Sequence, residues 1–270
     1  MAETTPDGTV LEIHGKADGP TVVLIHGLGL NRDCWQWMVP SLSDKYRVLT
    51  YDLYGHGDSI RPPETPSLTM FSRQLQGLLN HFNCGSAAIV GFSLGGMIVR
   101  RIAQDVPERV AAMAVLHSPH QRTPEAQAAI EKRVEQARTE GPSSTVEAAL
   151  ERWFTDRYRA QNPAMMDLVR SWVKANDISI YYTVYNVLAT GIDEITAPTP
   201  KIICPTLVMT GDEDYGNGPE MTRAIASEID GATVHVLPGL RHMALAEDPP
   251  AVNVPMRAFL DQVFSRGAHR

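Results

Sequence analysis

Residues 87–103 read AAIVGFSLGGMIVRRIA: a short apolar run meets a helical one at Ser93, with Gly91 two residues before it and Gly95 two residues after. An ordinary turn does not need small residues on both sides of a serine. A turn that passes straight from strand to helix does, because side chains at those two positions would be driven against the strand and the helix. Such a turn strains the serine backbone and pushes its side chain into the open. It also sets the helix amino terminus beneath the hydroxyl, where the Leu94 N–H can face a developing oxyanion. Taken alone, the pentapeptide also fits a plain Gly-Ser turn feeding a helix, so the rest of the chain has to decide.

The surrounding pattern supplies the context the junction demands. TVVLIHG, YRVLTYD, SAAIVGF and RVAAMAVLHS read as buried strands, and between the second and third lies SLTMFSRQLQGLLNHFN. There Phe71, Leu75, Leu78, Leu79 and Phe82 form one helical stripe. After Ser93, LGGMIVRRIAQDVPERV reads as a helix that stops before Pro107. Alternation of this kind predicts an α/β fold with a mostly parallel sheet flanked by helices. From about Pro119 to Pro200 only helix signals remain: Thr123-Pro124 and Asn162-Pro163 read as capped starts, and Gly191 as a stop. In TVEAALERWFTDRY, Val146, Ala149, Leu150, Trp153 and Phe154 share a face. Strands resume with KIICPTLVMTG and ATVHVLPG, and a last helical pattern contains Pro255, which predicts a kink or a late start. The expected organisation is a core in two parts, 1–118 and 199–270, interrupted by a four-helix cap at 119–198.

Composition narrows the function classes. The 270 residues carry 24 Lys plus Arg against 31 Asp plus Glu, a net charge of −7 without a basic cluster, which disfavours nucleic acid and anionic membrane as partners. No apolar run reaches the roughly 18 residues of a membrane span, and MAETTPDGTV lacks the basic and apolar regions of a secretory signal. Cys34, Cys84 and Cys204 are scattered and odd in number, so they read as reduced thiols of a cytoplasmic protein. The nine histidines show no metal-ligand spacing, and neither a metal nor a cofactor is expected.

Three further stretches accompany the serine: IHGLG at residues 25–29, YDLYGHGDS at 51–59, and the late pair LVMTGDEDYG and VLPGLRHMALAEDP. With them the chain resembles the α/β-hydrolase superfamily from about Val10 to Phe264. The resemblance is to its serine-nucleophile branch, and within that to 3-oxoadipate enol-lactonase-like hydrolases and carboxylesterases. It implies that the Leu28 N–H is the second oxyanion donor and that His26 holds its turn by a hydrogen bond. It also implies that Asp52, Gly55, His56, Gly57 and Asp58 brace a tight connection and take no chemical part. A serine hydroxyl needs a neighbouring base, and the base needs a carboxylate to fix its tautomer. His242 is the candidate base, since His235 sits within a strand pattern and His269 in the tail. Members that look like this chain place the acid three residues after the glycine, which gives Asp214, with Asp212 as the rival. The chain order Ser93, Asp214, His242 is the order this fold uses.

The resemblance implies hydrolysis of a small-molecule acyl substrate, an ester or a lactone, without a cofactor. C–C bond hydrolysis, cofactor-independent perhydrolysis and ligand reception without turnover stay open as alternatives. Asn31, Trp153 and Tyr181 are candidate substrate contacts, with Trp172, Tyr182 and Tyr185 as further aromatic candidates for the cap. Arg32, Arg152, Arg157 and Arg159 do not stand out from surface arginines. The sequence leaves the oligomeric state unread.

Overall fold

The computed structural model describes residues 2–267, so His269 lies outside the described residues. Eight strands form one sheet: β1 (Glu3–Thr4), β2 (Val10–Gly15), β3 (Thr21–Ile25), β4 (Arg47–Tyr51), β5 (Ala87–Phe92), β6 (Val110–Leu116), β7 (Thr206–Gly211) and β8 (Thr233–Leu237). Their order is β1-β2-β4-β3-β5-β6-β7-β8. β2 runs antiparallel to β1 and β4, and every other neighbouring pair is parallel. All six residues of β5 are buried, on both of its faces, which is why AAIVGF is continuously apolar. The edge strand β8 alternates instead, and His235 is exposed there. β1 and β2 extend the sheet ahead of the strands expected from sequence.

The helices are α1 (Val39–Leu42), α2 (Leu68–His81), α3 (Leu94–Asp105), α4 (Pro124–Glu140), α5 (Val146–Trp153), α6 (Asp156–Gln161), α7 (Pro163–Lys174), α8 (Ile178–Thr190), α9 (Pro219–Ser227), α10 (Ala244–Glu247) and α11 (Pro249–Gly267). In α2 the Ser67 side chain accepts the Met70 N–H, and Phe71, Leu75, Leu78 and Leu79 of the predicted stripe are buried. α11 starts at Pro249 and carries Pro255 in its interior, so the late start is not adopted.

Residues 119–198 hold five α-helices, α4–α8, where four were expected, and no strand. The extra break falls at Phe154, which turns extended (φ −122°, ψ 148°) and is fully buried, while Thr155 caps α6 by accepting the Tyr158 N–H. An apolar stripe running through Phe154 hides this break, because a buried extended residue and a buried helical one look alike in sequence. Thr123 caps α4 as expected, by accepting the Ala126 N–H. Asn162 precedes α7 but does not cap it: its Nδ2 donates back to Tyr158 O. The Gly191 N–H bonds Val187 O and closes α8.

This helical insertion is tied to the core beside α10. The nearly buried Arg241 donates to Glu151 O, Phe154 O and Asp156 Oδ1, at 2.9, 2.8 and 2.9 Å. The Met243 N–H donates to Trp153 O (2.8 Å), Tyr158 Oη donates to Ala246 O (3.1 Å), and Thr155 bonds Glu247. The three cysteines are free, and no helix among the described residues is long and apolar enough to cross a membrane.

Candidate active site

The strand order sets the carboxyl ends of β3, β5, β6, β7 and β8 side by side. Each is followed by a loop at the same edge, the place where open α/β sheets bind ligands. Those five loops deliver Leu28, Ser93, His117, Asp214 and His242.

Ser93 occupies the junction between β5 and α3 at φ 56°, ψ −113°, a conformation that costs a non-glycine residue of order 1–3 kcal/mol. Its own N–H is held by Leu116 O (2.8 Å), and its carbonyl accepts from Ser118 Oγ (2.9 Å). Both flanking glycines are required by close approach. A Cβ on Gly91 would lie 2.1 Å from Gly95 O, and one on Gly95 would lie 2.2 Å from Ile25 O. The helix therefore starts directly against β5 and β3. The Leu28 and Leu94 N–H groups donate to no backbone acceptor among the described residues.

His242 Nδ1 lies 2.7 Å from Asp214 Oδ2, so the carboxylate fixes the tautomer with Nδ1 protonated and leaves Nε2 bare. Asp214 Oδ1 accepts the N–H groups of Gly216 (3.2 Å) and Asn217 (3.1 Å). Burial opposes ionisation of Asp214, but His242 and His117 outweigh it and hold the carboxyl well below the usual range. Asp212 is turned elsewhere: it is exposed, and its Oδ1 accepts the Gly239 N–H at 2.7 Å. Phe92 packs on the His242 ring (centroids 4.9 Å apart), and Trp153 from the insertion stacks on it (6.0 Å, 30° between planes).

A cavity of about 110 Å³ opens over these groups, lined on the core side by Leu28, Ser93, Asp214, Asn217 and His242. Ser93 and His242 meet in it, although no hydrogen bond joins them among the described residues. In apo structures the bond from nucleophile to base is often long. Trp153, Tyr181 and Tyr185 line the cavity from the insertion. Trp172 packs instead near Trp37 (6.2 Å), and Tyr182 is outside the lining. Asn31 is also outside it: its Oδ1 caps a short turn by accepting the Asp33 N–H, so the substrate-contact expectation for Asn31 finds no support.

Three arginines, Arg122, Arg133 and Arg152, line the same cavity. Two of them went unread in the sequence, and Arg152 was passed over. Arg122 donates to Leu188 O (3.0 Å) and Ala189 O (3.2 Å), and Arg133 donates to Tyr185 Oη (3.1 Å). None of the three forms a salt bridge among the described residues, and Asp214 is the only carboxylate in the lining. Burial, and then the charge of Arg133, push the Arg122 guanidinium down to about 10; the same causes lower Arg152. One signal was available in sequence: Arg133 lies three residues from the buried Ile130 and four from the buried Ala137 on α4, a charge beside an apolar face. Arg32, by contrast, is used up by Asp52 and Asp58.

His26 has the structural task the resemblance implied. Its Nδ1–H donates to Gly27 O (2.8 Å) and its Nε2 accepts the Leu53 N–H (3.0 Å). Burial depresses it to about 4, and burial plus the nearby His26 depresses His56 to about 3. An unfolded histidine titrates near 6.5, so between that pH and about 4 the unfolded chain binds protons the folded one refuses. Stability should therefore fall with pH across this window, on the order of 3 kcal/mol for His26 alone. Urea midpoints measured from pH 7 to 4.5 check this, and His26→Asn should flatten the slope; an unchanged slope would refute the assignment.

Residues 20–249 match the family described as alpha/beta hydrolase fold, and the chain belongs to that family. It is 30% identical to (E)-2-((N-methylformamido)methylene)succinate hydrolase of Acinetobacter baylyi over 91% of this chain and 92% of that one. To 3-oxoadipate enol-lactonase 2 of the same organism it is 26% identical, over 91% and 90% of the two chains. The crystal structure of the enol-lactonase from Burkholderia xenovorans superposes with a TM-score of 0.87 at 28% identity, covering 94% of this chain and 98% of that one.

Proposed function

We propose that the protein is a serine hydrolase that cleaves a small carboxylate-bearing ester or lactone through an acyl-enzyme. The observation that carries the reading is the cavity in which Ser93, on its strained junction, meets the His242–Asp214 pair. Ser93 Oγ attacks the acyl carbon while His242 Nε2 takes its proton. The Leu28 and Leu94 N–H groups hold the oxyanion, and His242 returns the proton to the leaving oxygen. Water, activated by the same imidazole, then releases the acid and restores the serine. Residues 119–198 act as the cap that covers the reaction and supplies the pocket's aromatic wall.

The carboxylate requirement rests on Arg122, Arg133 and Arg152. Three guanidiniums facing one cavity without a carboxylate partner repel one another until an anion enters. The Arg152 side chain has no hydrogen-bond or salt-bridge partner among the described residues, which leaves its fork free for the ligand. Two relatives are named for a succinate and an oxoadipate derivative, which supports a carboxylate-bearing substrate, and the second is named for a lactone. A cavity of about 110 Å³ suits a short acyl group.

Turnover of p-nitrophenyl acetate to octanoate, and of γ- and δ-lactones with and without a carboxylate, tests the reading beside a Ser93→Ala control. Carboxylate-bearing substrates should lead. Arg152→Met should raise their KM about tenfold or more, leaving a neutral ester nearly unchanged. No turnover of any ester or lactone by the folded protein would overturn the hydrolase assignment. Equal treatment of charged and neutral substrates would overturn the carboxylate requirement alone.

A further inference from the structure

The loop after β6 contributes a histidine for which neither the sequence pattern nor the proposed reaction has a use. His117 is buried, held at φ 48°, and its Nδ1 lies 3.0 Å from Asp214 Oδ2, the same oxygen that His242 approaches at 2.7 Å. The rings of the two histidines are 5.6 Å apart and nearly perpendicular. The direction of the hydrogen bond is fixed by the neighbours. Thr210 Oγ1 donates its proton to Asn217 O (2.7 Å) and so turns a lone pair toward His117 Nδ1 at 3.4 Å. Nδ1 therefore carries the hydrogen and donates to Asp214. Its Nε2 is buried with no partner. A site chosen for packing alone would not hold a ring with one orphaned nitrogen in a left-handed backbone conformation.

We propose that His117 is a positioning residue for the hydrolytic site: it shares Asp214 Oδ2 with His242, fixing the acid and limiting how strongly that acid holds the protonated base. The inference rests on the Ser93, His242 and Asp214 reading above. A carboxylate oxygen that accepts two N–H donors has less electron density for either, so the imidazolium formed at His242 is stabilised less. A base held more loosely returns its proton to the leaving group more readily, so removing the His117 donor should strengthen the hold on that proton. The other charged groups around the cluster do not touch Asp214 Oδ2, and those that disfavour the imidazolium through space are the same in every variant. Arg122, Arg133 and Arg152 face it across the cavity, and Arg241 is engaged with Asp156 and lies near the exposed Glu213. Phe92 and Trp153 pack on the histidine rings and carry no charge.

The test compares pH profiles of kcat/KM for p-nitrophenyl acetate in the wild type and three variants, with thermal melts to establish folding. His117→Asn keeps an N–H donor and tolerates the left-handed backbone. His117→Gly removes the donor while relieving the backbone, and His117→Phe removes it while filling the space. In the donor-free variants the ascending limb should move up by about half a pH unit or more, with kcat down about tenfold, whereas the asparagine variant should keep the wild-type limb. One folded donor-free variant is enough. An unshifted limb in it, or an asparagine variant no better than it, would overturn the proposal. Activity that survives Ser93→Ala would instead overturn the underlying hydrolase reading.

Discussion

Replacing Ser93 by alanine is expected to lower kcat for any ester or lactone substrate by about 10⁴–10⁶-fold while leaving the fold intact. The nucleophile is lost, but Leu28 and Leu94 still offer their N–H groups, so substrate binding should persist and KM should change little. Replacing the same residue by glycine should be equally inactivating and yet stabilising, by about 1–2 kcal/mol in a urea titration. The difference follows from the backbone: alanine inherits the φ of 56°, whereas glycine occupies that region without strain. If both variants kept activity, the reaction would not run through Ser93. If glycine gave no gain in stability, the strain at the junction would not be real.

The second large effect is expected at Asp214. Asp214→Asn should reduce kcat by about 10⁴-fold, because both His242 and His117 point an N–H at its Oδ2. An amide has one acceptor oxygen for the four N–H groups that the carboxylate serves; with that oxygen toward Gly216 and Asn217, its NH2 faces His242 and favours the wrong tautomer. Asp212→Asn, two residues away, should stay within about threefold of wild type, since Asp212 only anchors the Gly239 N–H at an exposed loop. Steady-state kinetics of the two variants decide between them; comparable losses would remove Asp214 from the acid's role.

What could be read from sequence and what could not divide along physical lines. The Gly91-Ser93-Gly95 junction was legible because close backbone approach permits so few residue types, and the continuously apolar β5 followed from burial on both faces. His242 could be proposed from sequence because its residue type, its loop and its chain order agree, and the structure sets it beside Asp214. Asp212 and Asp214 were separable only by resemblance, since adjacent carboxylates differ in direction and not in chemistry. The break at Phe154 was hidden in an unbroken apolar stripe. Arg122, Arg133 and Arg152 come from one loop and two helices, and only their folding together makes a cationic wall. His117 was invisible for the same reason: its partner lies 97 positions downstream, and pairing of β6 with β7 brings the two together.

The contacts made by residues 241–247 bear on which parts of this chain can be exchanged separately. Arg241 spends one end of its guanidinium, Nη1, on Glu151, Phe154 and Asp156, next door to His242, the proposed base. Exchanging the helical insertion for one from a relative would strand that buried cation at a cost of several kcal/mol and unsettle His242 with it. The helical insertion and the loop that carries His242 are in this sense one structural unit. A chimera that transplants 119–198 together with 241–247 should remain an enzyme where the insertion alone would not.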